Sequence, residues 1–281
     1  MGLKSDHAPS TLPAGGDPAV AGAPSRPPTP PEVVWHDIEC GGYHADLALW
    51  HELAERAGEP VLDIGAGSGR VALELARAGH AVTALDSSAP LLAALAERAR
   101  GLPIETVRAD ARSFSLARDD YALCIVPMQT IQLLGGRSAR VGFLRRARAH
   151  LRPGATLACA ILGELEPFDC SGGGVGPAAE RASVDGSLYL SRALRVAETS
   201  RGVVIERERR ILSEHEPAPA WPFERAGDAA GEPQRDLVEL DLVTVAMLGG
   251  EGAEAGLRQQ PARVLAATDE HVASSVVMFR A

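Results

Sequence analysis

Residues 61–70 read VLDIGAGSGR. Four apolar-rich positions make a short buried strand, and three glycines at 65, 67 and 69 follow at once. Glycine lets a chain turn tightly and lets backbone approach a ligand, and a helix opening just afterwards points its free N–H groups at that ligand. The helix is predicted over 68–78, with Val71, Leu75 and Ala78 inward. AVTALD (81–86) is the next strand, and Asp86 ends it, 21 residues after Gly65. An acid at that point is placed to accept both ribose hydroxyls of a nucleoside. A dinucleotide fingerprint would carry a glycine at position 70, where this chain has Arg70, and a P-loop would carry G-K-[ST]. Neither fits, and the spacing is instead G-x-G-x-G with Asp63 two residues ahead.

The same alternation runs outward in both directions. Upstream, Leu47, Trp50 and Ala54 share one face of a helix that begins near Asp46 and is stopped by Gly58 and Pro60. Downstream, Ser87 or Ser88 caps a helix with Pro90 in its first turn and Leu91, Leu92 and Leu95 inward. PIETVRAD (103–110) is a strand and its exit, and YALCIVPM (121–128) is a fully apolar strand. A helical stretch then reaches His150, with Val141, Leu144 and Leu151 on one side, and Pro153-Gly154 turns into the strand ATLACAIL (155–162). Five strands alternating with helices imply an α/β fold with a doubly wound parallel sheet. After Gly163 the rhythm breaks. Residues 163–186 and 214–236 look like loops around three alternating segments, 187–196, 203–212 and 236–243, which read as a small antiparallel β flap. Leu188, Leu190 and Leu194 share a face, as do Val238, Leu240 and Leu242. Residues 256–281 read as two strands joined near Thr268–Glu270. The expected organisation is a disordered Pro-rich tail over 1–32 and one domain over 33–281, with 163–243 a substrate-covering insertion.

Composition narrows the function. The 281 residues carry a formal net charge of −9, which argues against nucleic acid or an anionic membrane as the main partner. The four cysteines form no C-x-x-C pair, and Cys124 and Cys159 lie in apolar strands, so buried free thiols are expected rather than a disulfide framework or a metal site. No run reaches a membrane span, and the first residues lack the apolar core of a signal peptide, so a cytoplasmic protein is expected.

VLDIGAGSGR, ALDSS, RADAR and LRPGA, in this order, resemble the class I S-adenosylmethionine-dependent methyltransferases of bacteria. The resemblance extends over about residues 40–281, and the flap and the TDEHVASSVV ending resemble those that act on small molecules. It implies S-adenosylmethionine as cofactor and a Rossmann-like seven-stranded sheet whose last hairpin is antiparallel. By the same resemblance Gly65, Ala66 and Gly67 bring backbone against the methionine moiety, and Asp63 helps orient its amino group. Asp86 holds the ribose, Ser87 borders the adenine, and Asp110 with the Ala111 amide meets the adenine amino group. Val126 and Pro127 flank the methionine end.

The acceptor side is read from position. Tyr43 and His44 precede the first predicted helix; Met128, Gln129 and Thr130 follow the fourth strand, where ligands sit in open α/β sheets; His271 precedes the last strand. Tyr43, Gln129 and His271 are the candidates for contact with an acceptor, His271 as a base. Arg137, Arg140, Arg145, Arg146, Arg148 and Arg152 are expected to form a solvated basic face. The expected activity is methyl transfer to an N or O atom of a small molecule. The competing reading is a protein of this fold that binds the cofactor without transfer, as a cyclase or scaffold. A homodimer is compatible with the sequence.

Overall fold

The computed structural model describes residues 27–163, 165–213, 232–268 and 271–281. The glycine turn sits where the sequence reading puts it, between β1 (Val61–Ile64) and α3 (Arg70–Arg77). The α/β alternation continues with β2 (Val82–Asp86), α4 (Ala89–Arg98), β3 (Ile104–Arg108), β4 (Tyr121–Val126), α5 (Arg137–His150) and β5 (Leu151–Leu162). α2 (Leu47–Ala57) precedes them, and β11 (Arg258–Leu265) and β12 (Ser274–Arg280) close the chain.

These strands make a seven-stranded sheet in the order β11-β12-β5-β4-β1-β2-β3. The five strands from β3 to β5 are parallel; β12 runs antiparallel to β5, and β11 antiparallel to β12. A buried strand offers alternate residues to opposite faces. In β4, Leu123 and Ile125 join Trp50, Leu75 and Leu95 on the face covered by α2, α3 and α4, while Cys124 and Val126 join Phe143 and Leu144 under α5. Ser88 caps α4 by accepting the Leu91 N–H. Burial pushes the Cys124 and Cys159 thiols far up, as expected of core packing.

Several local expectations are corrected. Residues 31 and 32 are not tail: they open α1 (Pro31–Cys40), which the sequence reading missed. A ten-residue helix is marginal alone, and this one is held by distant partners. Trp35 meets Tyr189 edge-on at 4.9 Å, and Glu39 takes Arg209 through both Nε and Nη2 at 2.7 Å and Ser191 Oγ at 2.6 Å. Residues 1–26 lie outside the described part of the chain. Ala78 is exposed, because α3 ends one residue earlier.

The flap is a second, antiparallel sheet in the order β10-β9-β8-β6, built from β6 (Phe168–Asp169), β8 (Ser187–Glu198), β9 (Gly202–Ser213) and β10 (Gln234–Asp241). β7 (Glu180–Val184) pairs with β8 as well. So 163–186 is not all loop; of 214–236, residues 214–231 lie outside the described part and 234–236 open β10. Leu242 is 61% exposed instead of sharing the face of Leu240, since β10 ends at Asp241 and the chain turns there. An unforeseen helix, α6 (Val245–Glu254), follows, capped by Thr244. It explains Arg140, which is buried rather than solvated: its guanidinium grips Glu251 of α6 at 2.9 and 2.6 Å and Asp241 at the end of β10.

Candidate active site

At the carboxyl ends of β1, β2 and β4 lies a cleft of about 420 Å³. Asp63, Gly65 and Ala66 line it from β1 and its turn, Asp86 and Ser87 from the end of β2. Asp110, Ala111 and Pro127 line it as well. Eight of the ten residues expected at a cofactor therefore meet in one cleft. Gly67 is not on its wall: a Cβ there would strike the His36 ring, so α1 covers that point of the turn. Val126 is fully buried in the core beneath the site. His36, from the unforeseen helix, also lines the cleft, with Nδ1 3.1 Å from Ser68 Oγ.

The glycine turn needs its glycines. Gly65 has φ +72° and Gly67 φ +56°, the left-handed region that a side chain makes costly. A Cβ on Gly65 would also collide with the Thr130 side chain. The turn is held from the β2 side. Gly65 and Ala66 donate to the Leu85 carbonyl, Gly67 N–H donates to Asp86 Oδ2 at 2.9 Å, and Ser88 N–H donates to Asp86 Oδ1 at 2.8 Å. The Asp86 carboxylate thus fixes the turn and still has lone pairs facing the cleft.

Asp63 is 1% exposed, and neither carboxylate oxygen has a hydrogen-bond partner among the described residues. Burial pushes its carboxyl up to about 7; the Arg70 charge and the nearby Ala72 N–H, which falls short of hydrogen-bond geometry, oppose this, while Asp86 and Asp46 add to it. An orphaned buried carboxylate beside a glycine cradle fits a ligand that brings hydrogen-bond donors. At the other end Asp110 is held down to about 2 by the Arg112 guanidinium, 2.6 Å away, and stays ionised.

The acceptor candidates also converge. Tyr43, Gln129 and His271 line a second cavity, of about 220 Å³, with Met128, Leu165 and Ile205. The Tyr43 and His271 rings are 4.8 Å apart. Tyr43 is anchored through its backbone: Arg70 Nη1 donates to its carbonyl at 2.7 Å and also binds Asp46, at 2.6 Å, whose other oxygen takes Trp50 Nε1. Arg70, the residue that breaks the dinucleotide fingerprint, thus ties the turn to the wall that carries Tyr43. His271 N–H donates to Thr268 Oγ1 at 3.0 Å. His44 is exposed and lies outside this cavity. Met128 and Gln129 line both cavities, and Met128 has φ +54°, a strained backbone of the kind that clusters at functional sites.

Residues 61–154 match the family model described as a methyltransferase domain. A Cypemycin N-terminal methyltransferase of a Streptomyces species is 33% identical over 99 residues, 34% of this chain. The chain spans about two fifths (39%) of that curated relative's length. Among solved structures, the CcbJ methyltransferase of Streptomyces caelestis superposes with a TM-score of 0.61 at 20% identity, covering 89% of this chain and 96% of that one. An amino pentose methyltransferase of Micromonospora echinaspora, solved with S-adenosylmethionine bound, gives 0.63 at 19% identity, covering 88% and 97%. Residues 61–154 are thus similar to a methyltransferase domain, and the chain shares the fold of these solved structures, with its antiparallel last hairpin and separate flap sheet.

Proposed function

We propose that this protein transfers a methyl group from S-adenosylmethionine to an N or O atom of a small molecule. The observation that carries the reading is the wall shared by the two cavities: Met128 and Gln129 stand between the nucleoside-type cleft and the pocket of Tyr43 and His271. When bound, the cofactor supplies a methyl group already activated by its sulfonium charge. The protein has to orient, dehydrate and deprotonate.

In this reading Asp86 binds the ribose, Asp110 and the Ala111 amide the adenine, and Asp63 with the Gly65 turn the amino-acid end. Gln129, whose side chain makes no hydrogen bond among the described residues, orients the acceptor. Tyr43, Leu165 and Ile205 keep water out, and positioning of this kind is where most of the rate is gained. The acceptor's proton goes to His271 Nε2. A general base contributes about 10²- to 10⁴-fold, so His271→Ala should lower kcat by that range and leave S-adenosylhomocysteine affinity unchanged. The described residues of the insertion then act as the cover of the acceptor pocket, contributing Leu165 and Ile205 to its wall.

The test has two parts. S-adenosylhomocysteine should raise the melting temperature and NAD should not, because only a ligand of the native state shifts it. A library of neutral amines and alcohols with a tritiated methyl donor should then yield labelled product and S-adenosylhomocysteine. Stabilisation by NAD alone would overturn the cofactor assignment. Cofactor binding with no turnover on any acceptor would leave a cofactor-binding scaffold.

A further inference from the structure

Met128 has a φ of +54°, a backbone conformation that its side chain makes costly. A residue keeps such a conformation only where the surroundings fix the chain on both sides of it. Upstream, β4 does so: its parallel pairing with β5 runs as far as Val126, two residues before Met128. Downstream, no strand and no helix of more than one turn begins before α5 at Arg137. Between them lies a single 3₁₀ turn, Thr130–Leu133. One such turn has few hydrogen bonds of its own and poor geometry in them, so the hold on this side has to come from side chains.

Gln132 supplies it. The residue is buried, and its backbone N–H donates to the Gln129 carbonyl at 2.8 Å. Its Oε1 accepts the N–H of Leu162, the last residue of β5, at 2.7 Å, and its Nε2 donates to the carbonyl of Asp241, the last residue of β10, at 3.1 Å. A free N–H on one side and a free carbonyl on the other call for an acceptor and a donor on one side chain, which a primary amide has. The far partner is itself fixed. The Asp241 carboxylate takes the Gly136 N–H at 2.6 Å and the Arg140 guanidinium, whose other nitrogens grip Glu251. Gln132 thus joins three pieces of chain, each of which leads to the wall of the acceptor cavity. Met128 and Gln129 stand on the first and Leu162 on the second; on the third, β10 is paired with β9, which carries Ile205. Between Gln129 and Gln132, the Thr130 side chain stands against Gly65 of the glycine turn.

We propose that Gln132 is a positioning residue for methyl transfer: by tying the chain to the ends of β5 and of the flap, it sets the place of the Met128–Gln129 partition between the cofactor cleft and the acceptor cavity. The proposal rests on the reading above that the cavity of Tyr43 and His271 holds the methyl acceptor. The partition matters because donor and acceptor must meet in line, and a misplacement of ~1 Å can cost ~10²-fold in rate. Gln132 touches neither of them and acts through Gln129 and Met128.

Methionine carrying ¹³C in its methyl group puts a nuclear magnetic resonance probe on the partition itself, Met128, and a control in the core of β12, Met278; Met128→Leu assigns the signal. In the full chain, S-adenosylhomocysteine should shift the Met128 signal, since Met128 lines the cleft, and leave Met278 in place. Gln132→Leu removes both side-chain bonds and should shift or broaden the Met128 signal by more than a linewidth while Met278 stays within one. Gln132→Asn, one methylene too short to span both partners, should act in the same direction to a smaller extent, and it carries the test if Gln132→Leu does not fold. With the acceptor found in the library, kcat should fall about 10- to 100-fold in Gln132→Leu, while S-adenosylhomocysteine affinity falls less than about tenfold, because Asp63, Asp86 and Asp110 stand on other segments. A Met128 signal identical to wild type in both variants, a Met278 signal that moves as far as that of Met128, or an unchanged kcat overturns the proposal. A wild-type Met128 signal that ignores S-adenosylhomocysteine would strike the cofactor assignment instead, and comparison of the ligand-free variants would still decide whether Gln132 holds the partition.

Discussion

Replacing Asp63 by Asn should stabilise the ligand-free protein, by an amount that grows with pH. The carboxyl group is fully buried with no hydrogen-bond partner among the described residues, and its pKa is pushed from an ordinary 3.8 up to about 7. Between those values the native state holds a proton that the unfolded chain has released. Stability therefore falls as pH rises from about 4 to about 7 and is level above that. Each pH unit in the window costs about 1.4 kcal/mol, so the full penalty at pH 8 is on the order of 4 kcal/mol. Asn removes the ionisation and keeps the shape, but still buries an unpaired polar group, at ~1–3 kcal/mol. The part that isolates the titration is the difference between two pH values. The gain from Asp63→Asn at pH 8 should exceed that at pH 6 by about 1.4 kcal/mol. Urea unfolding of both proteins at both pH values measures it. A gain independent of pH, or a variant less stable than wild type at pH 8, would refute the claim that this carboxylate is held unpaired in anticipation of a ligand. The same variant should bind S-adenosylhomocysteine more weakly, since the orphaned acceptor is what the ligand's donors would meet.

Asp86→Ala should weaken S-adenosylhomocysteine binding by roughly 10- to 1,000-fold, from the loss of one or two charge-assisted hydrogen bonds; calorimetry on the folded variant checks this, and unchanged affinity would place the ribose elsewhere. Because Asp86 also accepts from Gly67 and Ser88, Asp86→Asn should lose part of that affinity through the turn itself. Glu251→Ala leaves the Arg140 guanidinium, 3% exposed, with Asp241 alone among the described residues, and should cost about 3–5 kcal/mol of stability in urea unfolding; a cost under about 1 kcal/mol would mean that water reaches the pair. The Cys40 thiol on the cleft is pushed up to about 11 by burial and by Glu39, so iodoacetamide at pH 8 should modify it more than about 100-fold slower than a free thiol, as followed by mass spectrometry.

VLDIGAGSGR and Asp86 were legible because their information is local. A buried strand, a turn with positive φ and a helix start each impose residue types at fixed spacing, so β1, α3, β2 and the acids of the cleft could be numbered from the sequence. The alternation of apolar segments likewise implied the parallel sheet. α1 was not legible: Pro-rich flanks precede it, and what makes PEVVWHDIEC a helix is Trp35 on Tyr189 and Glu39 on Arg209, partners more than 150 residues away. α6 and the burial of Arg140 share that cause, since an arginine at helical spacing reads as solvated until Glu251 and Asp241 are brought beside it. The sequence by itself determined the glycine-turn cleft, where strand, glycine turn and acid are read in order along the chain. Only the tertiary structure decided the second cavity, because Tyr43, Gln129, Leu165 and His271 come from four separate segments, and no periodicity encodes which of them will share a wall.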